Sequence, residues 1–345
     1  MEKHPLKPWP ITSVMLSSSH SIRVFYFAVK STNLFHNNEA IRFGYGTAPT
    51  KNGMKLFTFG YDQALGSHGV RFHFTGETSR THPSSTLAAL RMHGTYDKIS
   101  LGLDYMIMRM KYKSLRAGLD FTLKNIKNET RLTDTRTQDR LRILSAHLSY
   151  DFSDEWRGQN LFNVRVSQGL LGLGSTAESS LTKSRNSGRI AFVKSNFLLM
   201  RNQMLPYNFR VQGVVHAQWA GRPLITAERF GIGGPPYNKT YPLSAFNGDS
   251  GFEAKVELGY IWREAPFVEY VMPYTYFAHG TIWNRVPEAG EKKKQSINGI
   301  NIGLRSEFVP GLNGFVEYAL PFKKNINNSK FNNKLYVGLS YSRDF

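Results

Sequence analysis

The stretch GFEAKVELGYIW, residues 251–262, decides the fold of this chain. Apolar side chains stand at the even positions from Phe252 to Trp262, whereas the odd positions carry Glu253, Lys255 and Glu257. Neighbouring side chains of a β-strand point to opposite faces, so this stretch has one apolar face and one charged face. It is therefore predicted to be a strand that separates two different solvents.

The same alternation recurs along the chain, for example at residues 115–124 and 209–219. Helical spacing fits none of these stretches. Strands with one apolar and one polar face are typical of a transmembrane barrel, in which one face meets lipid and the other a water-filled lumen. The sequence thus predicts an all-β fold. The expected fold is an antiparallel β-barrel that spans a bacterial outer membrane and contacts its lipid.

Composition agrees with this prediction and excludes several other classes. Hydrophobic residues make up 41% of the 345 residues, yet no run approaches the roughly 18 consecutive apolar residues of a membrane-spanning helix. The chain has no cysteine, which excludes disulfides, thiolate metal sites and a cysteine nucleophile. Its net charge of +19 comes from scattered lysines and arginines, so we interpret it as a basic lumen and basic loops and expect no nucleic-acid partner.

The alternating stretches predict sixteen strands, and an even number suits an antiparallel barrel with both ends on one side of the membrane. Connections are predicted to be long after strands 7, 9, 11, 13 and 15 and short after the strands between them, as the outer and periplasmic rims of a barrel require. The connection at 78–85 is an exception, because it is too long for a periplasmic turn. The predicted strands are 20–30, 40–48, 54–62, 68–76, 86–94, 98–109, 113–126, 139–152, 160–168, 187–200, 205–219, 250–262, 266–281, 296–309, 311–322 and 332–344.

The two ends of the chain differ in character. Residues 1–19 lack the apolar core of a secretory signal and are predicted to be a short N-terminal segment, with the barrel at 20–345. In the last strand an apolar stripe, Leu335, Val337, Leu339 and Tyr341, alternates with polar or small residues. Tyr341 and the terminal aromatic Phe345 are expected to form the membrane-assembly signal that the barrel-assembly machinery reads.

An enzyme is the first alternative. Outer-membrane hydrolases combine serine, histidine and a polar orienting group on adjacent strands, and His147, His216 and His279 all have serines available. Histidines scattered over a barrel more often line its lumen or its aromatic girdle, and the sequence contains no H-E-x-x-H motif. The glycines at 231–234 lack a following G-K-[ST], so they do not form a phosphate loop. We expect no catalytic residues, metal or cofactor.

One block of sequence resembles a known family. The segment Glu228-Arg229-Phe230-Gly231-Ile232-Gly233-Gly234, followed by Asn247-Gly248-Asp249-Ser250-Gly251 and the strand after it, is similar to the E-x-F-x-x-G-G and G-D-x-G-Y elements of the two-partner secretion transporters. These are also called haemolysin secretion/activation proteins. Residues 96–111, 139–144, 165–170 and 273–283 look similar to further family segments in the family's order.

The resemblance implies a function and a site. It implies a sixteen-stranded barrel that exports one large, secreted β-helical exoprotein without nucleotide hydrolysis, acting as a monomer. It also implies that the sixth outer loop, residues 220–249, folds into the lumen as a plug. The plug residues that the resemblance marks are Arg229, Phe230, Gly233, Gly234, Lys239, Tyr241, Gly248 and Asp249.

Two departures from the family pattern affect that loop. The V-R-G-Y tetrad falls on Asn238-Lys239-Thr240-Tyr241, so lysine replaces arginine, and the aspartate of the F-x-D-x-G pattern falls on Ala278. In the family these two side chains contact each other. With the aspartate lost, we expect Lys239 to approach Glu253 or Glu257 instead, near Gly280 of the F-x-D-x-G pattern.

A third departure lies upstream. In the family a secretion signal, a plug helix and two polypeptide-transport-associated (POTRA) domains precede the barrel, whereas about nineteen residues do so here, and partner docking is therefore expected to need another chain. A barrel that inserts but no longer secretes, a passive pore, is the second alternative. Conductance measured with and without a co-expressed partner separates that pore from a transporter.

Overall fold

The computed structural model describes residues 25–32, 37–47, 53–82, 92–264, 268–326 and 329–341. Fifteen strands form one sheet in which each strand pairs with the next along the chain, and every pairing is antiparallel. Four short strands form two separate hairpins, and residues Thr226–Glu228 form a single 3-10 turn. In the described residues, no helix is long and apolar enough to cross a membrane.

The strands are β1 (Phe25–Thr32), β2 (Glu39–Thr47), β3 (Met54–Leu65), β4 (Val70–Thr81), β5 (Met92–Met110), β6 (Lys113–Thr130), β7 (Thr135–Ser153), β8 (Gly158–Gly169), β9 (Val193–Met204), β10 (Phe209–Ala220), β11 (Phe230–Ile232), β12 (Phe246–Gly248), β13 (Ser250–Tyr260), β14 (Tyr270–Trp283), β15 (Lys294–Val309), β16 (Leu312–Pro321), β17 (Asn325–Ile326), β18 (Ser329–Lys330) and β19 (Lys334–Tyr341). The two hairpins outside the main sheet are β11–β12 and β17–β18.

The predicted strands agree with the main sheet to within a few residues except near 83–98 and at 187–192, which belong to the β8–β9 connection. The predicted strand residues 20–24 and 342–344 lie outside the described residues. The predicted strands 86–94 and 98–109 fall on the single strand β5, and residues 83–91 lie outside the described residues. With these two joined, the connection after β4 falls on the rim that carries the long connections after β8, β10 and β14. The apparent exception at 78–85 therefore disappears, because the connections after β4, β8, β10 and β14 lie on one rim and the short turns after β3, β5, β7 and β9 lie on the other. The β6–β7 turn, 131–134, and the longer β13–β14 connection, 261–269, do not follow this alternation.

Another difference lies at the tip of the β6–β7 hairpin. The long loop predicted at 128–137 is mostly strand, because β6 and β7 pair as far as Thr130 and Thr135. The two strands therefore continue the hydrogen-bonded ladder beyond the neighbouring rim, where paired backbone groups need no other partner.

The two faces of the strands differ as predicted. In β13, Val256 and Leu258 are 56% and 44% exposed, whereas Glu253 and Glu257 are buried. In β19, the apolar stripe is exposed from Leu335 to Tyr341, and Lys334 is half-buried. On these two strands, exposed apolar side chains thus cover the outer face and the charged side chains lie on the inner face. Phe345 lies outside the described residues.

Two of the three buried apolar clusters in the described residues lie where long connections fold onto the inner face. One cluster joins β7 to the β8–β9 and β10–β13 connections, and the other surrounds the β11–β12 hairpin. The first contains Leu141, Ile143, Ile190, Phe192, Ala220, Leu224 and Ile225, and the second contains Phe230, Ile232, Tyr241, Ile282, Ile297, Ile326 and Phe331.

Candidate functional site

The connection between β10 and β13, residues 221–249, folds over the charged inner face of the sheet, and we call it the inward loop. Near its start, Glu228 contacts Lys124 of β6 at 2.5 Å and Lys194 of β9 at 2.9 Å. Further along, Lys239 contacts Glu317 of β16 at 2.7 Å. Since a single segment reaches the inner faces of strands from β6 to β16, the sheet curls around it.

Glu228 is the anchor of the loop's first half. Its side chain is buried, which raises the pKa of a carboxyl group, but the positive charges of Lys194 and Lys124 outweigh that effect and hold the pKa below its ordinary value. The backbone carbonyl of Glu228 also accepts hydrogen bonds from Lys194 Nζ and Gln218 Nε2, both at 3.0 Å. Both parts of Glu228 are therefore bound to the sheet.

The rim end of the inward loop is tied to two other long connections. Arg185 of the β8–β9 connection is almost fully buried and donates to Asp249 at 2.6 Å and to Glu291 at 3.1 Å. Glu291, in the β14–β15 connection, also accepts from Arg229 at 2.6 Å. Asp249 in turn accepts the backbone N–H groups of Leu224 and Arg285, both at 2.8 Å. Three loops thus share one ion-pair network.

Glycines permit the loop's return at its inner end. Gly233 and Gly234 have φ angles of +101° and +87°, a left-handed conformation that residues with a side chain rarely adopt. A Cβ atom on Gly234 would lie 2.5 Å from Leu243 Cα, so a side chain would also clash with the returning chain. The backbone N–H of Gly233 donates to Glu253 Oε1 at 2.7 Å, which fixes this turn against β13.

Glycines of the sheet make room for the loop. A Cβ atom on Gly251 of β13 would lie 2.6 Å from Phe230, and one on Gly299 of β15 would lie 2.6 Å from Thr240 Oγ1. Gly280 of β14 packs in the same way against Ile232. On three neighbouring strands, the absence of a side chain lets the loop lie directly against the backbone.

Lys239 and Glu317 form the centre of the loop's contact with β16. Glu317 is 1% exposed, and its carboxylate accepts from Lys239 Nζ at 2.7 Å, from Tyr274 Oη at 2.7 Å, from Tyr276 Oη at 2.8 Å and from Asn301 Nδ2 at 2.7 Å. The Lys239 ammonium also lies 4.7 Å from the ring centroid of Phe315. One buried carboxylate therefore has one cationic donor and three neutral donors.

The residues on either side of this ion pair are bound as well. Tyr336 of β19 donates its hydroxyl hydrogen to the backbone carbonyl of Lys239 at 2.7 Å. The Tyr241 hydroxyl donates to the carbonyls of Asn298 at 3.1 Å and Lys323 at 3.3 Å, and burial raises the pKa of Tyr241. Asn238 and Thr240 are fully buried. The inner part of the loop is thus packed against the sheet and hydrogen-bonded to it at Lys239 and Tyr241.

The family model of the haemolysin secretion/activation proteins ShlB/FhaC/HecB matches residues 19–306. The chain belongs to this family. This is a family of secretion/activation proteins and not of enzymes, and membership identifies the chain as an outer-membrane protein. No curated protein matches the sequence.

Solved structures show the same fold. CdiB from Escherichia coli superposes with a TM-score of 0.78 at 16% identity, over 98% of this chain and 63% of that chain. For CdiB from Acinetobacter baumannii the TM-score is 0.70 at 14% identity, over 95% of this chain and 59% of that chain. BamA from Haemophilus ducreyi lacking POTRA domains 1–3 has a TM-score of 0.66 at 13% identity, over 95% and 69% of the two chains. The predicted outer-membrane β-barrel is confirmed, and this chain spans less than two thirds of each CdiB chain.

The prediction that Lys239 of this family member approaches Glu253 or Glu257 was wrong. Glu253 instead accepts the Gly233 N–H, and Glu257 accepts from Lys255 at 3.4 Å and Arg305 at 3.2 Å. Both acids are already engaged, and Lys239 lies against Glu317 of β16. At the family's aspartate position, Ala278 is fully buried beside Tyr276, in a cluster with Tyr274.

Sequence reasoning missed Glu317 and its three neutral donors, although a signal was present. Glu317 is the one acid of β16 and stands on the strand's inner face, and Tyr274 and Tyr276 stand on the inner face of β14. Arg185 and Glu291 of the rim network were also missed. They belong to long connections, where there is no strand alternation from which the direction of a side chain could be predicted.

The histidines considered for catalysis have other partners. His147 contacts Asp104 at 2.8 Å and Asp120 at 3.0 Å, and Asp120 also binds His73 and Arg165 on the inner face of β4 to β8. The His216 ring packs against Tyr237 and Phe230, and His279 contacts Asn298 and Thr281. Among the residues that the structure describes, no cluster of acids and histidines could hold a metal ion.

Proposed function

We propose that this protein is the outer-membrane pore of a two-partner secretion system and that the inward loop is its plug. The observation that carries the proposal is the position of Lys239, bound to a buried carboxylate on the inner face of β16. A loop that contacts inner faces from β6 to β16 occupies space that a translocating chain would need. Export therefore requires the loop to leave or to shift.

The chemistry around Glu317 suits a contact that can be broken and remade. A buried carboxylate that loses its cation is normally costly, because its charge is left without compensation. Here Tyr274, Tyr276 and Asn301 still donate three hydrogen bonds to Glu317 when Lys239 departs. The three neutral donors lower the cost of releasing the loop, and lysine, a single point charge, gives up fewer directed hydrogen bonds than a bidentate arginine.

The proposed cargo is one large, secreted β-helical exoprotein, the kind of partner that the family resemblance implies. The sheet presents it with a polar inner face, on which charged groups such as Lys255, Glu257 and Arg305 are paired with one another. Paired charges offer hydrogen bonds to a passing backbone but no large patch of one sign. Such a surface suits an extended chain of varied sequence.

The plug is tested by single-channel conductance in planar bilayers. We expect Lys239→Ala and Glu317→Gln to open more often or more widely than the parent, because each removes the ion pair. Lys111→Ala, which changes an exposed lysine in the β5–β6 turn, is the matched control. The charge exchange Lys239→Glu with Glu317→Lys should recover part of the closed state. Parental conductance in both single variants would refute the plug.

The secretion function needs a separate readout. Cells that produce this protein with a β-helical exoprotein and the required periplasmic domains should release the exoprotein into the medium. Open channels in bilayers without release from any such pairing would identify a passive pore instead. A variant lacking residues 235–246 should raise conductance under the plug proposal, whatever the result for secretion.

A further inference from the structure

The outer face of β2 to β5 carries an apolar groove that the transport function does not use. Gly76 of β4 pairs with Phe59 of β3 and with Ile99 of β5, and its missing side chain leaves a depression between them. The groove has a volume of about 480 Å³. Its apolar lining consists of Phe43, Phe57, Phe59, Phe74, Gly76 and Ile99.

The aromatic rings on one side of the groove form a continuous row. The ring centroids of Phe43 and Phe59 lie 5.1 Å apart, and those of Phe59 and Phe74 lie 5.7 Å apart. Phe43 and Phe57 are 59% and 55% exposed on a face that meets lipid. The groove is therefore a fixed, elongated apolar surface in the hydrocarbon region, shaped for a flexible acyl chain.

Basic side chains stand at the end of the groove nearest the long connections. Lys55 and Arg80 face each other across β3 and β4, on the same side of the sheet as Phe57 and Gly76. Both are exposed, and Arg80 shares one carboxylate, Asp97, with Thr78. The groove thus ends in two cations that one acid partly neutralises.

The positive field extends to the next residues along the rim. His82 and His93 are in ring contact, with centroids 3.9 Å apart. The pKa of His82 lies below its ordinary value because of burial and because of the nearby positive charges of His93, Arg131 and Lys55. A site whose cations lower the pKa of a neighbouring histidine is one that an anion would stabilise.

We propose that this surface binds a phosphate-bearing lipid of the outer leaflet, with an acyl chain over Gly76 and a phosphate at Lys55 and Arg80. The long connections mark the outer rim of a bacterial barrel, so the cations lie at the level of the outer-leaflet headgroups. Basic clusters beside an apolar surface recognise anionic lipid heads, and lysine and arginine are the side chains that bind phosphate. The occupant is a phosphorylated glycolipid of the lipid A type, because that class combines phosphate with several acyl chains.

The test is native mass spectrometry of the purified full chain with bisphosphorylated lipid A and with the same lipid after removal of both phosphates. We expect the phosphorylated lipid to bind more tightly. Lys55→Ala with Arg80→Ala should weaken its binding by about twenty-five-fold, since each cation near an anionic surface contributes about fivefold. Lys111→Ala, at the opposite rim, should leave binding unchanged.

A second variant tests the acyl-chain part of the site. Gly76→Leu should fill the groove and weaken the binding of both lipids, phosphorylated or not. The strand can accept this side chain, because a Cβ atom on Gly76 would meet only Phe74 Cε1, at 3.9 Å. Unchanged heat-modifiable migration on gels will show that each variant is folded. Equal binding of the two lipids, or full binding by the double alanine variant, would overturn the proposal. Loss of binding with Gly76→Leu but not with the double alanine variant would show a purely apolar contact, which would also overturn the proposal.

Discussion

At the scale of single residues, the sheet is adapted to the loop that lies on it. Gly251, Gly280 and Gly299 stand on three adjacent strands where Phe230, Ile232 and Thr240 approach the backbone. Glycine is ordinarily unfavourable in a strand, because it has no side chain to pack and loses much entropy on folding. Its presence at these three positions is explained by the loop.

Gly299→Val should therefore displace the inner part of the loop without preventing the barrel from forming. The new Cβ atom would start 2.6 Å from Thr240 Oγ1 and 2.8 Å from Asn238 Oδ1, and both residues are fully buried. We expect higher conductance and faster proteolysis within residues 221–249. Gly213→Val, on β10 where an added Cβ meets nothing within 4 Å, is the control. Identical behaviour of the two variants would contradict the packing described for Gly299.

At the scale of elements, ion pairs hold the inward loop at three places: Glu228 on β6 and β9, the Arg185 network at the rim, and Lys239 on β16. At the first two places the carboxyl group belongs to a loop and not to the sheet: Glu228 lies in the inward loop and Glu291 in the β14–β15 connection. Burial raises the pKa of the Glu291 carboxyl, but the Glu288 N–H and the guanidinium groups of Arg229 and Arg185 bring it below its ordinary value. The stability of the docked loop therefore depends on pH.

Acidification should release the loop. The pKa of Glu228 is lower in the docked loop than its ordinary value of 4.5, so its contribution is fully present above that value and is lost as the pH falls through the lowered pKa. Conductance should therefore rise on lowering the pH from 7 to below 4. In Glu228→Gln the loop should already be loosened at pH 7, and the rise should be smaller. A rise of the same size in both proteins would show that Glu228 is not a source of the effect.

At the scale of the whole molecule, the outer face is an apolar surface and the inner face a polar one. Val214 and Val215 of β10 offer a matched pair, because they are the same residue type on opposite faces of one strand. Val215 is 39% exposed on the outer face, and Val214 is half-buried on the inner face.

Val215→Arg should cost about 2 to 4 kcal/mol of folding free energy, as a charge in mid-membrane does, whereas Val214→Arg should cost close to zero. Urea-induced unfolding in lipid vesicles measures both values. We expect the sheet to close into a barrel without a free strand edge from which to unravel, so heat-modifiable migration, in which the unboiled protein runs faster on a gel, should persist in Val214→Arg. Equal destabilisation by the two arginines would mean that the faces have been assigned the wrong way round.

The sequence by itself determined most of the strands and the face that each side chain occupies, whereas the inward loop was implied by the family resemblance. Strands and faces depend on local alternation, in which the side-chain direction changes with every residue and is readable over a few positions. Only the tertiary structure decided that Lys239 meets Glu317, 78 residues away, and not Glu253 or Glu257 on the next strand. Alternation specifies the face on which a side chain lies but not the distance across the lumen, because that distance depends on how the sheet curls and how far the loop travels.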